Sequence, residues 1–172
     1  AHALNARHYF GDDMLALERR RVFGRSWQLV AHQGQLAEPG DHVVEEVAGT
    51  PVLVLRGRDG ELRALVNVCR HRAGPLAHCS GKGLHALRCR YHGWLYNQEG
   101  QLIAAPEMQD AADFRVEDLR LPRLRLAQWQ GLVFVTLADD TPDFDSVYAG
   151  IAERIAPIDL GAMRYTRRDA YE

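Results

Sequence analysis

The chain has 172 residues, of which 47% are apolar and 26% charged, and its formal net charge is -2. This length suits one well-buried domain with extensions and excludes two full-sized domains, and nothing in the overall charge suggests the basic face or stripe that nucleic-acid binding needs. There is no apolar run of membrane-spanning length, and residues 1–24 lack the apolar core of a secretory signal. We therefore expect a cytoplasmic protein with no membrane and no nucleic-acid partner.

The first 40 residues predict an N-terminal helical extension. Residues 12–28 place Met14, Leu17 and Phe23 at roughly helical intervals after Asp12, which is a suitable N-cap. The pattern predicts one amphipathic helix that lies against the main body.

Residues 41–137 have the pattern of an antiparallel β sandwich or small barrel. Short runs rich in Val and Leu alternate with turn residues: HVVEEV, PVLVLR, ELRALVNV, LIAA, LRLAQ and GLVFVTL. The pairs Gly49-Thr50, Asp59-Gly60 and Glu99-Gly100 fall between these runs, the last two in good hairpin positions.

Residues 138–172 predict a second helix, over about 143–156, followed by a linker. Thr141 is the expected cap and Pro142 belongs to the first turn. One apolar stripe follows, made of Phe144, Val147, Tyr148, Ile151 and Ile155. The fold class is therefore α+β, mainly antiparallel β, with a helix at each end.

Residues 67–94, NVCRHRAGPLAHCSGKGLHALRCRYHGW, contain all three cysteines and four of the eight histidines. An odd, small number of cysteines argues against a disulfide framework. The ligand types form two mixed pairs, Cys69-x-His71 and Cys89-x-x-His92. Two thiolates and two imidazoles can hold one tetrahedral zinc or a 2Fe-2S cluster with both Cys on one iron. Zinc fingers usually pair like with like, so the mixed loops favour the cluster, which would relay electrons.

The segments CRHRAGPL and CRYHGWLYNQEGQL resemble the two cluster-binding loops of Rieske proteins. Together with ERRRVFGRSWQLVAH and the strands before Cys69, they are similar to the N-terminal Rieske domain of ring-hydroxylating oxygenase α subunits. The resemblance implies a Rieske-type fold over 41–137 with a cluster-binding subdomain at 67–96. It also implies that Cys69 and Cys89 bind the inner iron, and His71 and His92 the outer one.

The resemblance also assigns four residues to the surroundings of the cluster: Arg72, Tyr91, Gly93 and Trp94. Rieske proteins of cytochrome bc complexes have an additional disulfide, whose positions correspond to Gly74 and Tyr91 here. Trp94 stands where those proteins place a hydroxyl donor. We therefore expect a reduction potential at the low end of the Rieske range.

The family further implies an electron donor, either an NADH-linked reductase or a ferredoxin, and an acceptor in the catalytic domain of the same or a neighbouring subunit. That catalytic domain carries a mononuclear non-haem iron and is expected to lie outside residues 1–172, so the chain is not catalytically complete by itself. The full-length protein is expected to be a homotrimer that hydroxylates an aromatic or quaternary-amine substrate. Two alternatives stay open, a stand-alone Rieske ferredoxin and a zinc-stabilised binding module.

Other residues of the same stretch have simpler interpretations. Cys79 is interpreted as a thiol in a turn, and His78 and His85 as solvated loop residues. Arg70, Arg72, Arg88 and Arg90 are ordinarily solvated loop charges, and their alternative role is docking an acidic electron donor.

Overall fold

The computed structural model describes residues 3–108 and 110–169. These two ranges contain two α-helices, α1 (Asp12–Arg21) and α2 (Phe144–Ile155), and nine strands. The strands are β1 (Gln28–His32), β2 (His42–Val47), β3 (Thr50–Arg56), β4 (Leu62–Val66), β5 (Leu87–Arg88), β6 (Leu95–Tyr96), β7 (Leu102–Ala104), β8 (Arg123–Trp129) and β9 (Leu132–Thr136). The expected mainly antiparallel α+β class is confirmed.

The larger sheet has six antiparallel strands in the order β1-β9-β8-β4-β3-β2. Its two edge strands, β1 and β2, approach each other, so the sheet nearly closes around a core of mostly Val side chains. Its hairpins β2–β3 and β8–β9 are joined by two-residue turns with positive φ at both positions, Ala48-Gly49 and Gln130-Gly131. Turns of this kind match the twist of the flanking strands.

Strand β3 is buried on both faces, which explains its continuous apolar run. Val52 and Val54 point into the closed core, while Leu53 and Leu55 point the other way. On that second side they meet Tyr96 and other residues of a smaller sheet, β5-β6-β7. Because side chains alternate along a strand, residues 52–55 present one apolar pair to the closed core and another to the smaller sheet.

The segment between the two predicted ligand loops is fixed to the start of β2. His42 and Gly81 exchange backbone hydrogen bonds of 2.8 and 2.9 Å, and the amide of Leu84 donates to the carbonyl of Gly40 at 2.9 Å. Gly40 has a φ of 89°, and a Cβ there would lie 2.8 Å from the Leu84 nitrogen. This close approach needs a glycine.

Helix α2 packs on the outside of the larger sheet through Phe144 and Tyr148, whose rings stack 4.2 Å apart. The predicted stripe is only partly correct, because Val147 and Ile151 are exposed. The predicted cap is wrong: Asp143 occupies the N-cap position, and Thr141 is buried with its hydroxyl 2.7 Å from that of Thr136.

The N-terminal prediction needs three corrections. Helix α1 ends at Arg21 rather than near residue 28, and Gly11 is its N-cap, so Asp12 is the first helical residue. No residue of α1 is buried, and its contact with the body includes an ion pair of 3.8 Å between Arg19 and Glu46. Residues 28–32, predicted to be within the helical extension, instead form β1 and pair with β9. The domain boundaries at residues 40 and 137 stay predictions.

Within the described part of the chain, neither helix has both the length and the apolarity that crossing a membrane requires.

Candidate metal centre

The first ligand loop is a compact turn built on Cys69. The Cys69 amide donates to the carbonyl of Gly74 at 2.8 Å, and its carbonyl accepts from the amide of Ala73 at 3.0 Å. Ala73 has a φ of 54°, in the left-handed region that non-glycine residues seldom adopt. These bonds hold His71 at the tip of the loop.

The second loop repeats the same backbone pattern on Cys89. The Cys89 amide donates to the carbonyl of Trp94 at 2.8 Å, and its carbonyl accepts from the amide of Gly93 at 3.0 Å. Gly93 has a φ of 75°, at the position equivalent to Ala73. Gly93, predicted to lie beside the cluster, thus has a conformational role that closes the turn around His92.

The two loops face each other across a narrow space. The rings of His71 and His92 have centroids 4.5 Å apart at an interplanar angle of 69°. A Cβ on Gly74 of the first loop would lie 3.3 Å from the Cys89 sulfur of the second. The fold therefore brings the four predicted ligands together from positions twenty residues apart in the sequence.

The four side chains differ in burial in the way that the inner and outer assignment predicts. Cys69 and Cys89 are 2% and 3% exposed and are not joined in a disulfide, whereas the two histidines are half-buried. The Nδ1 atoms of His71 and His92 are buried, and neither has a hydrogen-bond partner among residues 3–108 and 110–169. A buried polar atom without a partner is costly, so these two nitrogens are suited to binding a metal.

This donor set fits a 2Fe-2S cluster. Two buried thiols would lie on the inner side, and two imidazoles with unpartnered Nδ1 atoms on the solvent side, as mixed Cys and His ligation requires. Across the described ranges, no group of three or more His, Cys, Asp or Glu side chains is placed to hold a single metal ion.

Trp94 covers the first histidine. Its indole is 3% exposed and stacks on the His71 ring, with centroids 4.7 Å apart and an interplanar angle of 9°. Phe114 packs behind it at 5.5 Å. Trp94 is therefore both a core aromatic and a cover that keeps water from one side of His71.

Tyr91 and Arg72, the other two residues predicted around the cluster, lie on its outside. The Tyr91 ring is 64% exposed, and its centroid lies 3.9 Å from that of His92. Arg72 is exposed, beside His71. Neither side chain forms a hydrogen bond within the described residues. Both therefore contact solvent rather than the cysteine sulfurs.

Tyr96 was missed by the sequence analysis. Its side chain is fully buried, and its hydroxyl lies 3.4 Å from the Cys69 sulfur while accepting a 3.0 Å hydrogen bond from the Arg70 amide. Because that amide is the donor, the phenol proton is available to Cys69. Burial, and next the hydrogen bond with Cys69, raise the pKa of Tyr96 well above its ordinary value, so the proton stays in place at neutral pH. The spacing Trp94-x-Tyr96 could have indicated that both side chains face inward.

Asn67 was also missed. Its buried amide donates to the carbonyl of Ala77 at 2.7 Å and accepts from the amides of Leu76 and Ala77 at 3.2 and 2.9 Å. It thereby pins the chain that leaves the first loop. An Asn that directly follows a strand and precedes the cysteine was the available signal.

The remaining polar residues of the stretch lie outside the two loops. Cys79, His78 and His85 are all exposed. The backbone of Cys79 has a structural contact, because its carbonyl lies 3.1 Å from Nε2 of His42.

Comparison with known proteins identifies the class. Residues 26–123 match the Rieske 2Fe-2S domain family, and the match covers more than half of the chain. The chain is a Rieske domain, and it belongs to this family.

The relatives are subunits of oxygenases. The carnitine monooxygenase oxygenase subunit of Escherichia coli (strain K12) is 32% identical over 155 residues, which are 90% of this chain and 41% of that subunit. The biphenyl 2,3-dioxygenase subunit alpha of Rhodococcus jostii (strain RHA1) is 35% identical over 151 residues, 87% of this chain and 33% of that subunit. The chain thus spans about two fifths or less of the length of these relatives.

Solved structures agree with the fold. The apo form of a quaternary ammonium Rieske monooxygenase superposes with a TM-score of 0.83 at 30% identity, over 90% of this chain and 45% of that one. A naphthalene 1,2-dioxygenase superposes with a TM-score of 0.78 at 26% identity, over 86% of this chain and 34% of that one. The resemblance to Rieske oxygenase α subunits is confirmed.

Proposed function

We propose that this chain is the domain through which electrons enter a Rieske oxygenase, and that Cys69, His71, Cys89 and His92 are the four cluster ligands. The single observation that supports it best is the pair of buried Nδ1 atoms of His71 and His92, unpartnered within the described residues, beside two buried thiols. When bound, a cluster of this kind accepts and releases one electron at potentials of roughly -150 to +300 mV.

The residues around the site suit a centre that is sheltered on one side and accessible on the other. The buried cysteines are backed by Tyr96, whose phenol donates toward the Cys69 sulfur. His92 reaches the surface beneath the exposed ring of Tyr91. An electron can therefore arrive from the His92 side without any movement of the core.

The activity of the whole protein is part of the same proposal. The relatives are a carnitine monooxygenase subunit and the alpha subunits of chlorobenzene and biphenyl dioxygenases, and this chain matches two fifths or less of each. We propose a full-length oxygenase that hydroxylates an aromatic or quaternary-amine substrate in a separate catalytic domain. An NADH-linked reductase or a ferredoxin supplies the electrons, and the homotrimer implied by the resemblance brings the catalytic domain of a neighbouring subunit near the Rieske domain.

The test is spectroscopic. Anaerobically purified protein should contain two irons and two sulfides per chain and, after dithionite reduction, should give a rhombic EPR signal with the low average g value of a His-ligated cluster. Replacement of His71 or His92 by Ala should abolish that signal. A colourless protein that binds zinc, and that cannot be reconstituted with iron and sulfide, would contradict the proposal.

A further inference from the structure

Charge is distributed very unevenly along the chain. Residues 67–96 contain five of the 21 Lys and Arg residues and none of the 23 Asp and Glu residues. This segment therefore carries a net charge of +5, and the rest of the chain, with a total of -2, carries -7. A positive segment in an acidic protein creates a local field that attracts negatively charged partners.

Four of the five positive charges are arginines of the two ligand loops, counting Arg88, which directly precedes Cys89. Arg70, Arg72, Arg88 and Arg90 are all exposed. Within the described part of the chain, none of the four takes part in an ion pair or a side-chain hydrogen bond, although six other arginines do pair with carboxylates. The two loops face each other, so these like charges are concentrated around His71 and His92 with no internal compensation.

An exposed aromatic ring lies within this positive surface. Tyr91 follows Arg90, is 64% exposed, and contacts the ring of His92 at a centroid distance of 3.9 Å. Tyr and Arg are the residue types enriched in protein interfaces, and Tyr offers a large contact area at a small entropic cost. The exposed ring adds a flat contact area next to His92, which suits a protein partner.

The positive surface has a defined boundary. Residues 105–108 and 110–114 lie beside the second ligand loop: Pro106 would contact a Cβ on Gly93 at 3.5 Å, and Phe114 packs on Trp94. These two segments have exposed acidic residues, Glu107, Asp110 and Asp113. A partner attracted to the arginines is repelled at this edge, so the charges select an orientation as well as a partner.

We propose that Arg70, Arg72, Arg88, Arg90 and Tyr91 form a docking surface for an acidic one-electron carrier protein, which reduces the centre from the His92 side. The inference rests on the proposed function, because it names the class of donor for the same site. In the step, the reduced carrier loses one electron and the cluster gains it, and no bond or proton is transferred. Removal of the charges should slow association, because electrostatic steering raises association rates by about 10–10³-fold.

The test measures binding rather than turnover. The holoprotein is titrated with an oxidised, acidic plant-type 2Fe-2S ferredoxin, so that no electron moves. Ionic strength is varied from about 0.01 M, where charges act over roughly 30 Å, to about 1 M, where they act over roughly 3 Å. We expect binding that weakens steeply with salt.

Two matched double variants locate the surface. Arg72→Gln with Arg90→Gln should weaken binding at low salt at least tenfold and flatten its salt dependence. Arg20→Gln with Arg154→Gln removes the same charge from α1 and α2 at exposed positions with no recorded ion pair, and it should change binding less than twofold. Tyr91→Ala should weaken binding at all salt concentrations without changing the slope.

Several outcomes would overturn the proposal. These are no binding to the ferredoxin at low salt, an equal loss in both double variants, and equally tight binding of a basic c-type cytochrome or a DNA oligonucleotide. Iron and sulfide content and the dithionite-reduced EPR signal, recorded on the same samples, separate this failure from failure of the proposed function. An intact cluster with charge-independent binding refutes only the docking surface, and an absent cluster refutes the function.

Discussion

The hydroxyl of Tyr96 lies 3.4 Å from the sulfur of Cys69 and accepts the amide hydrogen of Arg70, which directs its own proton toward the thiolate. A donor to a ligand sulfur stabilises the reduced cluster more than the oxidised one, because the reduced cluster carries one more negative charge. We predict that Tyr96→Phe lowers the reduction potential. Losing this hydrogen bond should destabilise the reduced cluster by about 1 kcal/mol, which lowers the one-electron reduction potential by roughly 40 mV.

Potentiometric titration of the EPR signal measures this shift. Tyr91→Phe is the matched control, because it removes a hydroxyl from an exposed ring that has no described contact with a cysteine sulfur. An unchanged potential in Tyr96→Phe, with the cluster intact, would show that the phenol proton does not act on Cys69.

Cysteine replacement should separate ligands from bystanders. We predict that Cys69→Ser or Cys89→Ser strongly reduces the iron and sulfide content, since both thiols are buried in the loops that face each other. Cys79→Ser should leave the cluster and its spectrum unchanged, because that side chain is exposed and only its backbone makes a structural contact. Loss of the cluster in Cys79→Ser would contradict the proposed ligand set.

Asn67 should contribute strongly to stability. Its side chain satisfies three buried backbone groups of Leu76 and Ala77, and a buried group left unpaired costs roughly 1–3 kcal/mol. We predict that Asn67→Ala lowers the free energy of unfolding by about 3 kcal/mol, measured by urea denaturation of the apoprotein. Asn97→Ala, which loses one hydrogen bond to the Gln101 amide, should cost about 1 kcal/mol. If Asn67→Ala and Asn97→Ala lowered the free energy of unfolding equally, the three hydrogen bonds of Asn67 would not have the predicted importance.

The resemblance to Rieske proteins implies that Gly74 and Tyr91 correspond to the additional disulfide of the cytochrome bc branch. A Cβ on Gly74 would lie 3.8 Å from the Cβ of Tyr91, in the centre of the range of about 3.5–4.5 Å that disulfides require. We predict that Gly74→Cys with Tyr91→Cys forms a disulfide on mild oxidation. Its closed loop of under 20 residues should stabilise the protein by about 3 kcal/mol.

The readout is the mass of tryptic peptides before and after reduction, together with the unfolding midpoint. Each single variant serves as a control, because neither can form the bridge between positions 74 and 91, and the peptide masses distinguish that bridge from one to Cys89. Two unoxidised cysteines in the double variant would mean that the loops lie further apart in solution than in the structure.

Several strands could be predicted, and both candidate ligand pairs located, because their signals are local. The Val-rich run HVVEEV corresponds to β2 at His42–Val47, and the uninterrupted run PVLVLR belongs to β3, which is buried on both faces. The mixed pairs Cys69-x-His71 and Cys89-x-x-His92 follow from residue type and spacing alone. Each of these features can be recognised from a few neighbouring residues.

The errors arose where a contact outside the local sequence pattern decides the structure. Residues 28–32 were assigned to the N-terminal helical extension, yet pairing with β9 makes them a strand, because tertiary pairing outweighs weak local preferences. Thr141 looks like a cap, yet its hydroxyl bonds to Thr136 across a turn and Asp143 takes the cap position.

The sequence by itself determined the four candidate cluster ligands, the antiparallel class of the sheet and the concentration of positive charge along residues 67–96. Only the tertiary structure decided that the two loops face each other with unpartnered Nδ1 atoms, that Trp94 covers His71 and that Tyr96 reaches Cys69. The physical reason is range: spacing and composition act over a few residues, whereas these contacts join segments brought together by the burial of the smaller sheet against β3.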